Sequence, residues 1–144
     1  MILYLDTSSL FKLYHEESGT RELDEIFSTQ NIQKFFLSEL TKVEFNSVVW
    51  KKIRMNEISL EQGQNLITFF QDDYLNYTFA NIDNRVISTS LEMLNKFGNQ
   101  GLRTLDSIQL ATAYLSIDSV DLALTSDKLL KELFNNVGLK TTID

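Results

Sequence analysis

A chain of 144 residues, 43% apolar and with ten Phe and five Tyr, is too apolar for disorder, and it is long enough to bury roughly two thirds of its unfolded surface, so a single domain over 1–144 is expected. No apolar run approaches the ~18 residues of a membrane span and no basic leader opens the chain, which predicts a protein that is neither membrane-bound nor exported. With no Cys, disulfides and thiolate metal sites are excluded and a cytoplasmic location is expected, while a net charge of -7 disfavours nucleic acid unless cations neutralise carboxylates locally.

Residues 2–5 are an uninterrupted apolar run ending at Asp6, the pattern of a strand covered on both faces, and Thr7, Ser8 and Ser9 lead on to Leu10 and Phe11. A short helix is expected over 10–14, broken at His15-Glu-Glu-Ser-Gly19. Leu23, Ile26 and Phe27 predict an amphipathic helix over 20–27, and 34–38 reads as a second strand. Leu40, Val43, Val48, Trp50 and Ile53 then recur with helical spacing, with Lys51, Lys52 and Arg54 near the end, where cations suit the helix dipole. Ser59 with Gln62 forms a capping-box pattern that opens a helix through Phe70, and the two helices are expected to form a hairpin. A third strand is expected over 77–80, a helix over 83–97, a turn between Gly98 and Gly101, and a helix over 104–117. A fourth strand over 121–125, a helix over 128–134 and a short strand over 139–141 complete the chain. Strands alternating with helices or helix pairs predict a three-layer α/β/α fold around a mainly parallel sheet of four or five strands.

Ligands bind such sheets at the carboxyl ends of their strands, and four acids fall there or at helix starts: Asp6, Glu44, Asp106 and Asp127. Each also has a structural reading. Asp6 and Asp127 are placed to cap helices, Asp106 to favour a helix dipole, and Glu44 to sit on a solvated face. Yet Glu44 lies between Val43 and Phe45, and Asp106 between Leu105 and Ile108, with no evident cation opposite either. Clustered carboxylates repel one another unless protonated or bridged by a cation, and oxygen-only sites suit Mg²⁺ or Mn²⁺.

In order along the chain, Tyr4-Leu-Asp-Thr-Ser-Ser-Leu-Phe-Lys12, Glu16-Glu-Ser-Gly19, Ser38-Glu-Leu-Thr-Lys-Val-Glu44, Leu102-Arg-Thr-Leu-Asp-Ser-Ile-Gln-Leu-Ala-Thr-Ala113 and Leu124-Thr-Ser-Asp-Lys-Leu129 with Gly138-Leu139 resemble the successive motifs of PIN-domain proteins, in particular VapC-type toxin ribonucleases. The resemblance implies a Mg²⁺- or Mn²⁺-dependent endoribonuclease, usually paired with an antitoxin and often a homodimer. Asp6, Glu44 and Asp106 match the family's metal-binding acids and Asp127 the fourth, more variable one. Thr7 or Ser8 would support the site with a hydroxyl, and Thr125 matches a polar position before the last acid. Gln109 departs from the His of many relatives, and no loss of activity is inferred from it.

The reaction expected is metal-assisted hydrolysis of RNA phosphodiester bonds, with Asp6, Asp106 and Asp127 holding the cation and Glu44 completing the acidic pocket. Lys12 and Arg103 are the candidate phosphate contacts by position, ahead of Lys42, Lys51, Lys52 and Arg54. His15, the only histidine, reads as an ordinary exposed loop residue, which leaves no Ser-His-Asp arrangement. An aspartate-nucleophile phosphatase would want a second acid at position 8, which is Ser, and a phosphoacceptor receiver domain would pair two acids near the first strand's end. The remaining alternative is a catalytically silent PIN-like module that binds RNA or protein. A toxin would also have a partner segment that covers the acidic pocket or inserts a basic side chain into it.

Overall fold

The computed structural model describes residues 1–17 and 19–143, so Ser18 of the motif at 16–19, and Asp144, lie outside the described residues. Strands β1 (Ile2–Leu5), β2 (Lys34–Ser38), β3 (Thr78–Ala80) and β4 (Leu122–Leu124) form a wholly parallel sheet in the order β3-β2-β1-β4. β1 is internal, with Leu3 opposite both Phe35 and Leu122. Strands are added outward from β1 on one side through β2 and β3 and on the other through β4, so the ends of β1 and β4 flank the switch point where open α/β sheets place their sites.

Helices cover both faces. On one lie α1 (Thr7–Phe11), α2 (Thr20–Thr29), α3 (Leu40–Arg54) and α4 (Leu60–Asp72), whose Leu10, Leu23, Phe45 and Phe70 pack with Leu3 and Leu5. On the other lie α5 (Asn84–Phe97), α6 (Thr104–Leu115) and α7 (Lys128–Asn136), whose Met93, Leu110 and Phe134 pack with Tyr4 and Ala123. The apolar run of β1 is thereby explained: Leu3 and Leu5 enter one core and Tyr4 the other. Each fully buried Leu or Phe in these cores contributes roughly 1.5–3 kcal/mol.

The α3–α4 hairpin closes as the pattern required. Ser59 Oγ accepts from Gln62 N at 3.1 Å, and Ser59 N donates to Gln62 Oε1 at 2.8 Å. Gly63 lets α4 approach α3, since a Cβ there would lie 2.4 Å from Ile53 Cδ1.

Two expectations need correction. The first helix begins at Thr7, not Leu10, because Asp6 caps it by accepting from Ser9 N at 2.9 Å, and it ends at Phe11. No fifth strand forms at 139–141 among the described residues: Ala123 N donates to Lys140 O at 2.8 Å, while Thr141 turns its hydroxyl to Asn135 at 2.9 Å. No helix among the described residues is long and apolar enough to cross a membrane.

Candidate active site

Asp6 is the most enclosed of the four acids, only 5% exposed. Its Oδ1 accepts from Ser9 N at 2.9 Å and from Ser8 Oγ at 2.7 Å, and its Oδ2 accepts from Thr125 Oγ1 at 2.5 Å. Burial pushes its carboxyl up to about 6 although these hydrogen bonds pull it down, and the charge of Glu44 adds to the rise. Asp6 thus caps α1 and at the same time gathers the hydroxyls of Ser8 and Thr125 at the ends of β1 and β4.

Glu44 stands in the second turn of α3, half-buried, with Oε1 accepting from Thr7 Oγ1 and from Gln109 Nε2, each at 2.8 Å. Burial raises its carboxyl, the two hydrogen bonds oppose this, and the charge of Asp106 raises it further. Asp106 occupies the first turn of α6, where burial raises its carboxyl, Asp127 raises it again and Arg103 lowers it. Asp127 is exposed and caps α7, accepting from Leu130 N at 2.8 Å.

Four elements distant in sequence thus bring their acids to one edge, where each feels the charge of the next: Glu44 acts on Asp6, Asp106 on Glu44 and Asp127 on Asp106. The ion pairs among the described residues, Lys42–Glu39 and Lys52–Glu57, include none of the four. As held, the acids are spread along the edge, and among the described residues no three Asp, Glu or His side chains are gathered as a ready cation cage. The donor chemistry, carboxylates backed by hydroxyls, nevertheless fits a hard divalent cation that would draw them together.

Thr7, Ser8 and Thr125 each donate a hydroxyl to one of the acids, which orients the carboxylates directly. Lys12 borders two clefts on either side of α1, of about 560 Å³ and about 400 Å³. Ser9, Thr125 and Ser126 line the first, and Thr7, Ser8, Lys51 and Lys52 the second; none of the four acids lines either. Lys42 is engaged elsewhere, 3.0 Å from Glu39 and over the rings of Tyr74 and Phe79. His15 is not exposed as expected but half-buried, its ring edge against Phe11.

Sequence reasoning missed the polar layer behind the acids, formed by Tyr4, Thr41 and Gln109. Gln109 donates to Glu44 and lies 3.1 Å from Thr41 Oγ1, while Tyr4 donates to Gln109 Oε1. The signal was present: a glutamine between Ile108 and Leu110 and a tyrosine inside an apolar strand each need a buried partner.

Residues 3–134 match the family profile described as PIN domain. Among solved structures, the chain is similar to a toxin-antitoxin complex from Klebsiella pneumoniae, at 18% identity and a TM-score of 0.66, covering 97% of this chain and 96% of that one. It is similar to VapC20 of Mycobacterium tuberculosis, described as a sarcin-ricin loop cleaving toxin, at 10% identity and a TM-score of 0.71, covering 99% of each chain. VapBC2 of Rickettsia felis, bound to a DNA fragment from its promoter, matches at 16% identity and a TM-score of 0.62, covering 99% of this chain and 98% of that one. At these identities the likeness is one of fold. No curated protein matches the chain.

Proposed function

The chain belongs to the PIN-domain family, and from that premise we propose that it is a divalent-metal-dependent endoribonuclease, the toxin of a toxin-antitoxin pair. The observation that carries this reading is the edge along which Asp6, Glu44, Asp106 and Asp127 lie, each within reach of a neighbour's charge and none with an ion-pair partner among the described residues. Three of these carboxyls are raised, burial being the largest cause in each and a neighbouring acid's charge adding to it. Buried carboxylates that repel one another are costly unless a proton or a cation joins them.

Asp6, Asp106 and Asp127 would hold Mg²⁺ or Mn²⁺, and Glu44 would complete the pocket. The chemistry the cation supplies when bound is charge stabilisation at the phosphate and a lower pKa for the attacking water. The protein's own part is positional. Ser8, Thr125 and the Ser9 amide hold Asp6, and Thr7 with Gln109 holds Glu44. Asp106 and Asp127 enter from the starts of α6 and α7, so all four sit on rigid elements. Lys12 and Arg103 are the phosphate contacts in this reading, offsetting the chain's acidity where the strand would lie.

The toxin described as cleaving the sarcin-ricin loop and the toxin-antitoxin complex among the similar structures support RNA as substrate and an antitoxin as partner. A basic side chain of that partner suits the acidic edge. A cytoplasmic homodimer completes the proposal. Purified protein, free of partner, is to be incubated with a mixed RNA pool and Mn²⁺ or EDTA, beside Asp6→Asn. Cuts that require metal and vanish in the variant are expected. A folded, metal-supplied protein that cuts nothing would favour a silent PIN-like binding module.

A further inference from the structure

We propose that Gln109 is a positioning residue whose amide, backed by the Tyr4 hydroxyl, holds the Glu44 carboxylate in the acidic pocket by a neutral hydrogen bond. Gln109 is 2% exposed and Tyr4 fully buried. The Tyr4 hydroxyl donates to Gln109 Oε1 and lies 3.3 Å from the Gln109 carbonyl. With Oε1 engaged there, Nε2 faces the acids: it donates to Glu44 Oε1 at 2.8 Å and lies 3.1 Å from Thr41 Oγ1 and 3.3 Å from Thr7 Oγ1. Thr7 donates to the same Glu44 oxygen at 2.8 Å.

These bonds run in one direction, from the phenol through the amide to the carboxylate. A reversed amide would set Gln109 Oε1 against Glu44 Oε1, two acceptors face to face, and would turn the amide's donors toward the tyrosine hydroxyl. The tyrosine hydroxyl could accept from those donors, whereas the Glu44 carboxylate can only accept, so Glu44 selects the orientation and Tyr4 completes it by donating to Oε1. The layer is closed, since no buried side-chain nitrogen or oxygen among the described residues lacks a partner. A cationic donor in this place would neutralise Glu44. An amide fixes the carboxylate and leaves its charge available at the edge.

The inference rests on the nuclease reading only for its kinetic arm, and it has a second arm independent of metal and RNA. In metal-free protein, the Gln109 side-chain amide should give a slowly exchanging pair of ¹⁵N-edited resonances that shifts in Glu44→Gln and in Tyr4→Phe but not in Glu39→Gln. Fast exchange, or indifference to Glu44, would overturn the proposal. In single-turnover cleavage, Gln109→Leu should lower the rate about tenfold at unchanged RNA affinity, but less than about twofold in a Glu44→Ala background, as groups acting through one another do. Losses that multiply across the two backgrounds would overturn it. Tyr4→Phe, which keeps the ring, should follow the same pattern more weakly and serves if Gln109→Leu does not fold. A wild-type protein that cleaves no RNA defeats the nuclease reading alone, and the amide arm then decides on Gln109.

Discussion

The Thr125 hydroxyl donates to Asp6 Oδ2 at 2.5 Å, joining residues 119 positions apart at the ends of β4 and β1. Of the hydrogen bonds that oppose the effect of burial on the Asp6 carboxyl, it lowers the pKa most. Thr125→Val keeps the shape and deletes the donor. Loss of a hydrogen bond to a charged group, at ~1.5–3 kcal/mol, should raise the Asp6 pKa above its value of about 6 by roughly one to two units. Carboxyl ¹³C titration of Asp6 measures this directly, and an unmoved midpoint would contradict the assignment.

Burial lifts Asp6 from 3.8 to about 6, so the folded chain binds this proton more tightly than the unfolded chain. The stability gained is complete below about 3.8 and is lost as pH rises through about 6. Glu44 and Asp106 shift in the same direction and reinforce the trend. In metal-free protein, denaturant titrations should show stability falling between pH 4 and pH 7, with Asp6 contributing up to about 3 kcal/mol of the fall. Asp6→Asn should flatten the profile and be the more stable form at pH 8, while the nuclease reading predicts that it loses activity.

Gly63 tests the packing beneath the site. A Cβ there would meet Ile53 Cγ1 at 2.9 Å and Val49 Cγ1 at 3.0 Å, both on branched side chains with little room to yield. Gly63→Ala should therefore destabilise the hairpin by about 1–3 kcal/mol despite alanine's better helix propensity. Thermal unfolding reads the loss, and activity at low temperature should be retained.

Lys12 and Lys42 should separate substrate contact from structure. Lys12 borders both clefts, whereas Lys42 is committed to Glu39 and two aromatic rings. Lys12→Ala should raise KM for RNA and reduce the salt dependence of binding by about one counterion, with kcat little changed. Lys42→Ala should leave RNA binding unaltered and cost stability by no more than about 1 kcal/mol.

Much of this was legible in the chain because its signals are local. The unbroken run before Asp6, the Ser59 and Gln62 pair and the helical spacing of α3 to α6 each depend on residues close in sequence. The helix start at Thr7 was missed because serines and threonines after a strand read equally as loop, and only the Asp6 cap decides between them. The expected strand at 139–141 failed because one hydrogen bond to β4 does not make a ladder. The acids at the strand ends and helix starts were readable from topology, whereas for Tyr4 and Gln109 the chain shows only that each needs a buried partner and not which one. The contacts of the Tyr4, Thr41 and Gln109 layer span 34 to 105 residues, and nothing in α6 alone says which strand residue its glutamine meets.

The central claim is that the four separated acids make one metal-requiring site. Its most direct test is Mn²⁺ binding to the purified, partner-free protein by calorimetry, in the wild type and in single Asp6→Asn, Glu44→Gln, Asp106→Asn and Asp127→Asn variants shown to be folded. Saturable binding that weakens about tenfold or more in Asp6→Asn and Asp106→Asn, and less in Asp127→Asn, is the predicted result. Equal affinity in all five proteins, or none in the wild type, would contradict the account.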